Sequence, residues 1–243
     1  MILAALRTAA AAVVVSLWVL IAGPPVLLFT VLTGRPALLY ATAAAGVRMG
    51  FALAGIVVRI AGDEHLQPGP VVYAANHNSN VDSPVMFYAL RSLFPRVRVL
   101  YKAELRKLPV LVWAFDVAGF VPVSRGDRDQ SWSAVDQAAQ AVSDGNAFFV
   151  FPEGTRSRTG QLQPFKKGGF VMAIKAQAPI VPVVISGTRE AMPKGRALIQ
   201  PTTVTVRFLP PISTMGRGYE DRDRLIADVR LAMDAAIGRP HLS

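Results

Sequence analysis

The pattern of apolar and polar positions changes along the chain, and from about Pro70 onward it is typical of an α/β protein. Short runs rich in β-branched and aromatic residues alternate with helical patterns, as in βαβ units built around a parallel sheet. The predicted fold is therefore α/β, with a largely parallel central sheet flanked by helices. The predicted strands are Val71–Ala75, Val97–Tyr101, Phe120–Val123, Ala147–Phe151, Ile180–Ser186 and Thr202–Leu209.

Two segments of this region have apolar residues at helical spacing. One runs from about Asp129 to Asp144, and the other from about Glu220 to Ile237. Each is followed directly by a glycine, which is a common stop signal for a helix. We assign both helices to the core, without a chemical role, and interpret Gly187–Gln200 as a longer loop.

The N-terminal quarter has a different pattern, because it is almost continuously apolar. The 27 positions from Thr8 to Gly34 carry no charge, and a second apolar stretch, Pro36–Ala61, carries only arginine charges. About 20 apolar residues suffice for a helix to cross a bilayer. Gly23-Pro24-Pro25 should kink or end a helix within the first stretch. We therefore predict a membrane-associated helical segment, residues 1–62, followed by an α/β domain, residues 63–243.

The mode of membrane attachment has alternatives. Arg48 and Arg59 would be costly at the bilayer centre, but their side chains could reach the headgroups from helices that lie in the interface. This favours two helices partly embedded in one leaflet, and a single spanning helix is the alternative. A secretory signal peptide is disfavoured, because no early positive cluster is present and the apolar length is too great.

Composition and net charge limit the kinds of molecule that this protein is expected to bind. Lysine and arginine number 26 against 16 acidic residues, a net charge of +10, while 52% of the residues are hydrophobic. An anionic membrane surface or phosphate-bearing substrates explain both features, whereas a nucleic-acid binder would need aromatics interleaved on a basic face. The absence of cysteine excludes thiolate chemistry, and only three histidines are available for a metal site. We expect no metal, no cofactor and no nucleic acid.

A histidine follows the predicted strand Val71–Ala75, in the polar turn Asn76-His77-Asn78-Ser79-Asn80-Val81-Asp82. Five residues turn by about 500° on a continuous helix, so the two side chains can meet only if His77 lies in the turn and Asp82 in the first helical turn. A carboxylate that accepts a hydrogen bond from one ring nitrogen leaves the other basic. His77 is therefore a candidate general base, and the nucleophile could be an oxygen of the substrate.

A second polar loop, Phe151-Pro152-Glu153-Gly154-Thr155-Arg156-Ser157, also follows a predicted strand. Since ligands bind beyond the carboxyl ends of parallel strands, this loop and the His77 turn should converge. Gly154 permits a tight backbone, Thr155 offers a hydroxyl and Arg156 can bind phosphate oxygens, while Glu153 could bind a substrate hydroxyl or brace the arginine. Further candidates at the same edge for binding a phosphate are Lys102 and Arg125, with Arg158, Lys166 and Lys167 adding positive charge near the rim.

These blocks resemble the glycerolipid acyltransferases, most closely the bacterial 1-acyl-sn-glycerol-3-phosphate acyltransferases. His77 and Asp82 match the family's H-x-x-x-x-D motif, and Phe151–Ser157 matches its F-P-E-G-T-R-S motif. Phe120–Arg125 is similar to its strand ending in arginine, and Ile180-Val181-Pro182-Val183 to its proline-bearing block. The order and spacing agree over roughly Pro70 to Gly187. One departure is Ser124, where many members carry aspartate, and it loosens the assignment of the acceptor.

The resemblance implies that His77 is the general base, that Asp82 orients it, and that Arg125 and Glu153 to Arg156 surround a phosphate-bearing acceptor. The expected reaction moves an acyl group from acyl-CoA or acyl carrier protein to the sn-2 hydroxyl of lysophosphatidic acid, giving phosphatidic acid. The enzyme would work at the cell membrane, with its catalytic domain facing the cytoplasm. Alternatives are another acceptor (glycerol 3-phosphate, another lysophospholipid or a lyso-aminolipid) and a non-catalytic lipid-binding protein. No G-x-S-x-G, P-loop or G-x-G-x-x-G motif is present.

Overall fold

The computed structural model describes residues 2–107, 109–124 and 128–238. The seven strands are β1 Ile56–Ala61, β2 Val71–Ala75, β3 Val97–Lys102, β4 Val121–Val123, β5 Ala147–Val150, β6 Ile180–Ser186 and β7 Thr202–Phe208. The α-helices are α1 Ile2–Thr33, α2 Ala37–Ala54, α3 Asp82–Ala89, α4 Pro109–Val117, α5 Arg128–Ser143, α6 Gly168–Lys175, α7 Thr188–Ala191 and α8 Arg222–Ile237. Short 3₁₀ helices lie at Asp63–His65, Arg91–Leu93, Ala103–Lys107 and Tyr219–Asp221.

The seven strands form one sheet in the order β1-β7-β6-β2-β5-β3-β4. Every neighbouring pair is parallel except β6 and β7, which are antiparallel. Strands β2 to β6 therefore point the same way, and their carboxyl ends meet at one edge of the sheet. This confirms the predicted α/β class and the largely parallel sheet.

Alternate residues of the central strands are buried in two cores, one on each face of the sheet. Val71, Tyr73 and Ala75 of β2 belong to the core that includes residues of α2 and α3. Val72 and Ala74 belong to the core built with α5, α6 and α8. All five residues of β2 are buried, as expected for a parallel strand covered by helices on both faces.

Helices α1 and α2 pack against each other, and α2 is also docked on the domain. The Tyr40 side chain is 2% exposed, and its hydroxyl donates to the carbonyl of Val97 at the start of β3. The Arg98 guanidinium donates to the Tyr40 oxygen at 2.9 Å. At the other end of the pair, the backbone amide of Ile199 donates to the Thr8 hydroxyl at 2.9 Å. The apolar helices are thus attached to the α/β domain by specific hydrogen bonds.

The sequence interpretation of residues 1–62 as helical is wrong at its C-terminal end. Gly55 ends α2 with a left-handed φ of 74°, and Ile56–Ala61 then form β1, paired in parallel with β7. The β-branched run Ile56-Val57-Val58 favours a strand, but it continues the apolar stretch before it, and the sequence interpretation therefore includes it in the helical segment. The division into a membrane-associated segment and a catalytic domain stays a prediction, but the sheet itself begins at Ile56.

Candidate active site

The His77 turn begins where β2 ends, and Asn76 fixes its first residue to β6. The Asn76 side chain is 3% exposed. Its amide nitrogen donates to the carbonyl of Ile185 at 2.9 Å, and its amide oxygen accepts from the Ile185 backbone nitrogen at 2.6 Å. The Asn76 side chain thereby replaces the two backbone hydrogen bonds that one more residue of β2 would make to β6. The chain can turn away from the sheet while the amide and carbonyl of Ile185 stay paired.

His77 and Asp82 meet as their spacing predicts, because α3 begins at Asp82 and leaves His77 in the turn. His77 Nδ1 lies 2.8 Å from Asp82 Oδ2, and Asp82 is fully buried. The same oxygen accepts hydrogen bonds from the backbone nitrogens of Asn78 at 2.6 Å and Ser79 at 2.7 Å. Since a carboxylate oxygen only accepts, Nδ1 carries the proton and Nε2 has the free lone pair.

The loop Phe151–Ser157 holds His77 from the other side. Glu153 Oε1 accepts from the His77 backbone nitrogen at 2.7 Å, and the Ser157 backbone nitrogen donates to the His77 carbonyl at 2.7 Å. The Phe151 ring stacks on the imidazole, with centroids 4.1 Å apart and planes inclined by 16°. The two loops therefore converge as predicted, and the position of the imidazole is set by both its backbone and its ring.

Glu153 has a different place from the one expected of a substrate-binding residue. Its side chain is 3% exposed, and Oε2 accepts from the backbone and side-chain nitrogens of Gln163 at 3.0 and 3.2 Å. Burial raises the pKa of the carboxyl, and the hydrogen bonds from His77 and Gln163 oppose that shift. Both carboxylate oxygens of Glu153 thus accept hydrogen bonds within the site, from His77 and from Gln163. Glu153 positions the backbone of His77.

A cleft of about 1810 Å³ opens at this edge of the sheet, and His77 lines it. Basic and small polar residues form one part of its wall: Lys102, Ser124, Gly154, Thr155, Arg156 and Lys166. Residues of α1 and α2 form an apolar part, among them Ala11, Val15, Leu27, Gly46 and Phe51. Lys102, Gly154, Thr155 and Arg156 thus lie where a ligand could contact them. Arg125 lies outside the described residues.

Gly154 has a backbone that only glycine adopts readily. Its φ is +67°, and a β-carbon there would lie 2.7 Å from Cε and 2.8 Å from Cδ of Lys166. The glycine therefore lets the Lys166 side chain cross the loop closely. This adds a second basic side chain beside Arg156, as the sequence suggested for Lys166, whereas Lys167 forms an ion pair with Asp223 at 3.1 Å.

Four contributors to the site were given no role from the sequence: Asn76, Phe151, Gln163 and Lys194. The Lys194 ammonium donates to the Arg156 carbonyl at 2.8 Å and lies 3.3 Å from the Thr155 hydroxyl. The neighbouring Met192 carbonyl accepts from the Ser79 hydroxyl at 2.7 Å, so the segment 192–194 touches both loops of the site. Lys194 lies in the predicted loop Gly187–Gln200, where no periodic pattern distinguishes a residue of the site from other polar residues.

Within the described ranges, no three side chains of the types histidine, aspartate and glutamate lie close enough to hold a metal ion.

The model of the family described as Acyltransferase matches residues 57–186, which is more than half of the 243-residue chain. The chain belongs to the acyltransferase family. The matched range includes the His77 turn, the Phe151–Ser157 loop and strands β2 to β6, so the resemblance inferred from the motifs is confirmed.

Three relatives of this chain are named for the same activity. Proteins named 1-acyl-sn-glycerol-3-phosphate acyltransferase from Limnanthes douglasii, Saccharomyces cerevisiae and Mus musculus (the alpha form) are each 34% identical to this chain. The alignments cover 66%, 67% and 75% of this chain and 56%, 54% and 64% of those proteins. The chain therefore spans little more than half the length of these relatives.

The fold is also that of a solved structure. The 1-acyl-sn-glycerophosphate acyltransferase PlsC of Thermotoga maritima superposes with a TM-score of 0.81 at 24% identity. The match covers 99% of this chain and 98% of the other. The whole arrangement, including the pair of N-terminal helices and the sheet, is thus a known fold of this family.

Proposed function

We propose that the protein transfers a fatty acyl group from a thioester to the free sn-2 hydroxyl of lysophosphatidic acid. The observation that carries the proposal is the His77–Asp82 pair, which opens onto a cleft with basic groups in one part of its wall and apolar helices in another. A general base that is oriented by a carboxylate suits a substrate that brings its own hydroxyl. The names of the relatives support lysophosphatidic acid as that substrate.

The reaction follows from the orientation of His77. Nδ1 donates to Asp82, so Nε2 takes the proton of the acceptor hydroxyl while its oxygen attacks the thioester carbonyl. The carbon–sulfur bond then breaks, and the departing sulfur receives the proton from the imidazolium. Asp82 stabilises the imidazolium in between, as the acid of a triad does. His77 is then neutral again, because the proton taken from the hydroxyl has left with the thiol. No covalent enzyme intermediate is needed.

The acceptor phosphate would bind to the basic part of the cleft wall. Lys102 and Arg156 line it with the hydroxyl of Thr155 and the tight turn at Gly154, and Lys166 crosses the loop beside them. An arginine binds two phosphate oxygens at once, whereas a lysine acts as a point charge. Acyl-CoA and acyl carrier protein are both proposed as donors, with no cofactor.

The oxyanion of the tetrahedral intermediate would be stabilised by amides at the start of α3. The Val81 amide donates to the Ser79 hydroxyl at 3.1 Å and the Asp82 amide to the Ser79 carbonyl at 3.4 Å, while Pro84 has no amide proton. The candidate donors to the oxyanion are therefore the backbone amides of Asn80 and Ser83, two residues that line the cleft.

The apolar N-terminal helices support association with a membrane. Helix α1 has 32 residues, of which an 18-residue window has a mean hydropathy of 2.3 and is 6% buried, and α2 has 18 residues. We propose that both helices lie partly in one leaflet of the cell membrane, with the α/β domain, whose sheet begins at Ile56, on the cytoplasmic side, where the thioester donors are made. The lipid acceptor would then reach the cleft without its acyl chain crossing water.

The test is an acceptor panel with the purified full-length chain. Lysophosphatidic acid, glycerol 3-phosphate, another lysophospholipid and a lyso-aminolipid are each offered with acyl-CoA or with acyl carrier protein, and the products are identified by lipid mass spectrometry. Phosphatidic acid formed by the wild type and lost in His77→Ala is the expected result. A different product that depends on His77 would correct the acceptor, and lipid binding without any turnover would instead favour a non-catalytic protein.

A further inference from the structure

An apolar groove lies between the C-terminal half of α1 and the helix α4, outside the catalytic cleft. It has a volume of about 470 Å³ and is lined by Pro24, Leu27, Leu28, Val31, Trp113, Asp116 and Val117. The Trp113 side chain is 61% exposed, and Leu28 and Val31 are 60% exposed. Asp116 is the only polar residue among those that line it. A continuous apolar surface of this kind marks a place where a partner or a membrane binds.

Basic residues lie near the ends of the two helices that form this groove. The Arg106 guanidinium, in the 3₁₀ helix just before α4, binds Asp116 with both nitrogens, at 3.0 and 3.2 Å. The exposed Lys107 follows it, and the exposed Arg35 comes two residues after the end of α1. A tryptophan beside arginine and lysine is the combination found at the level of lipid headgroups, where the ring is half in hydrocarbon and cations contact phosphates.

We infer that α4 is a third membrane-inserted element, and that the acyl chains of one leaflet cover Trp113 and the groove. The inference rests on the proposed membrane association of α1, because α4 packs directly on α1 and its apolar surface continues the exposed apolar surface of that helix. Leu20 and Ile21 of α1 are 66% and 72% exposed. A leaflet that covers them along α1 also reaches the groove.

The insertion of α4 would have a consequence for substrate access. Ala114, Phe115 and Ala118, in α4 and directly after it, line the catalytic cleft, while Trp113 lines the outer groove. One helix thus separates the leaflet from the cleft. With Trp113 in lipid, a lysophospholipid moving in the leaflet meets the protein beside α4, next to the catalytic cleft, and need not leave the membrane.

The experiment uses tryptophan fluorescence in the full-length chain, whose three tryptophans are Trp18, Trp113 and Trp132. Variants that keep only Trp113, or only Trp132, are mixed with phosphatidylcholine–phosphatidylglycerol vesicles brominated at known depths of the acyl chains. A tryptophan-free chain with Leu20→Trp reports on α1. Trp132 packs near Tyr219 on the other side of the sheet and is the matched control.

Quenching of Trp113 and of the Leu20→Trp reporter, with Trp132 unaffected, is the expected result. In addition, Trp113→Ser should weaken vesicle binding about tenfold, since one large aromatic side chain leaves the apolar phase. The matched change Leu231→Ser, at a 73% exposed position of α8, should leave it unchanged.

Three outcomes would overturn the inference. Quenching at position 20 without quenching of Trp113 would place α1 in lipid and α4 outside it, and the proposed function would stand. No quenching at either position would refute the proposed membrane association as well. An unquenched Trp113 together with a dimer that Trp113→Ser dissociates would assign the groove to a second copy of the chain.

Discussion

The replacement Asp82→Asn tests the effect of the Asp82 charge on His77, because it removes one charge and keeps the shape of the side chain. Oδ2 of Asp82 accepts three hydrogen bonds, from His77 Nδ1 at 2.8 Å and from the amides of Asn78 and Ser79 at 2.6 and 2.7 Å. Oδ1 is buried and has no partner among the described residues. An asparagine can place its oxygen at the position of Oδ2 and retain all three bonds. Its NH₂ group then lies where Oδ1 was, without an acceptor.

The two expected effects differ in size. A buried donor without a partner costs about 1–3 kcal/mol, which is a fraction of a typical stability of about 5–15 kcal/mol. The protein should therefore stay folded. Catalysis should lose more, because opposite charges about 4 Å apart at an effective dielectric constant of about 20 attract by about 4 kcal/mol. The attraction acts only while His77 is an imidazolium, which is during the reaction. Loss of the attraction therefore slows the reaction about 10³-fold.

The assay measures initial rates with lysophosphatidic acid at saturation, and urea unfolding of the same preparations. We expect kcat to fall about 10³-fold for Asp82→Asn while the unfolding midpoint moves only moderately. Asp136→Asn is the control, since Asp136 is an exposed partner of Lys175. A kcat within tenfold of the wild type would refute the reasoning, because the charge of Asp82 would then not act on the proton transfer.

Three further predictions concern the same site. His77→Ala should abolish transfer and leave the fold intact, whereas His65→Ala, outside the cleft, should retain the wild-type rate; turnover without His77 would rule out its role as the base. Arg156→Ala should raise KM for lysophosphatidic acid about 10- to 100-fold, the range for a lost charged hydrogen bond, and an unchanged KM would contradict phosphate binding. Because burial raises the pKa of Glu153, its stabilising contribution is present in acid and is lost as the pH rises through the folded-state pKa. The stability advantage of the wild type over Glu153→Gln, measured by urea unfolding, should therefore shrink with rising pH, and an advantage that grows would show a lowered pKa.

Local patterns were sufficient for the central strands. The predicted bounds of β2 and β6 agree with the structure, and β3, β5 and β7 differ by one residue at one end. β2, β5 and β6 are buried over nearly their whole length, so almost every position is apolar and the pattern is strong. β7 instead alternates buried and partly exposed residues, which is the period-2 pattern of a strand with one buried face. β1 was missed because it follows apolar helices directly, and apolar composition alone does not separate an edge strand from a helix end. Deleting residues 1–62 would consequently remove a strand of the sheet as well as the membrane-associated helices.

Short motifs were enough to predict which side chains meet at the candidate site, because the histidine, its carboxylate and the basic loop all lie at strand ends. The spacing of His77 and Asp82 admitted one way for them to meet, and the direction of parallel strands placed the second loop beside them. The contacts that each group makes there could not be predicted from the sequence. Glu153 binds the backbone of His77, Asn76 pairs with β6 and Lys194 reaches the Arg156 carbonyl across 38 positions of sequence. Contacts over such separations leave no periodic pattern, since they depend on how loops from different strands pack at one edge of the sheet.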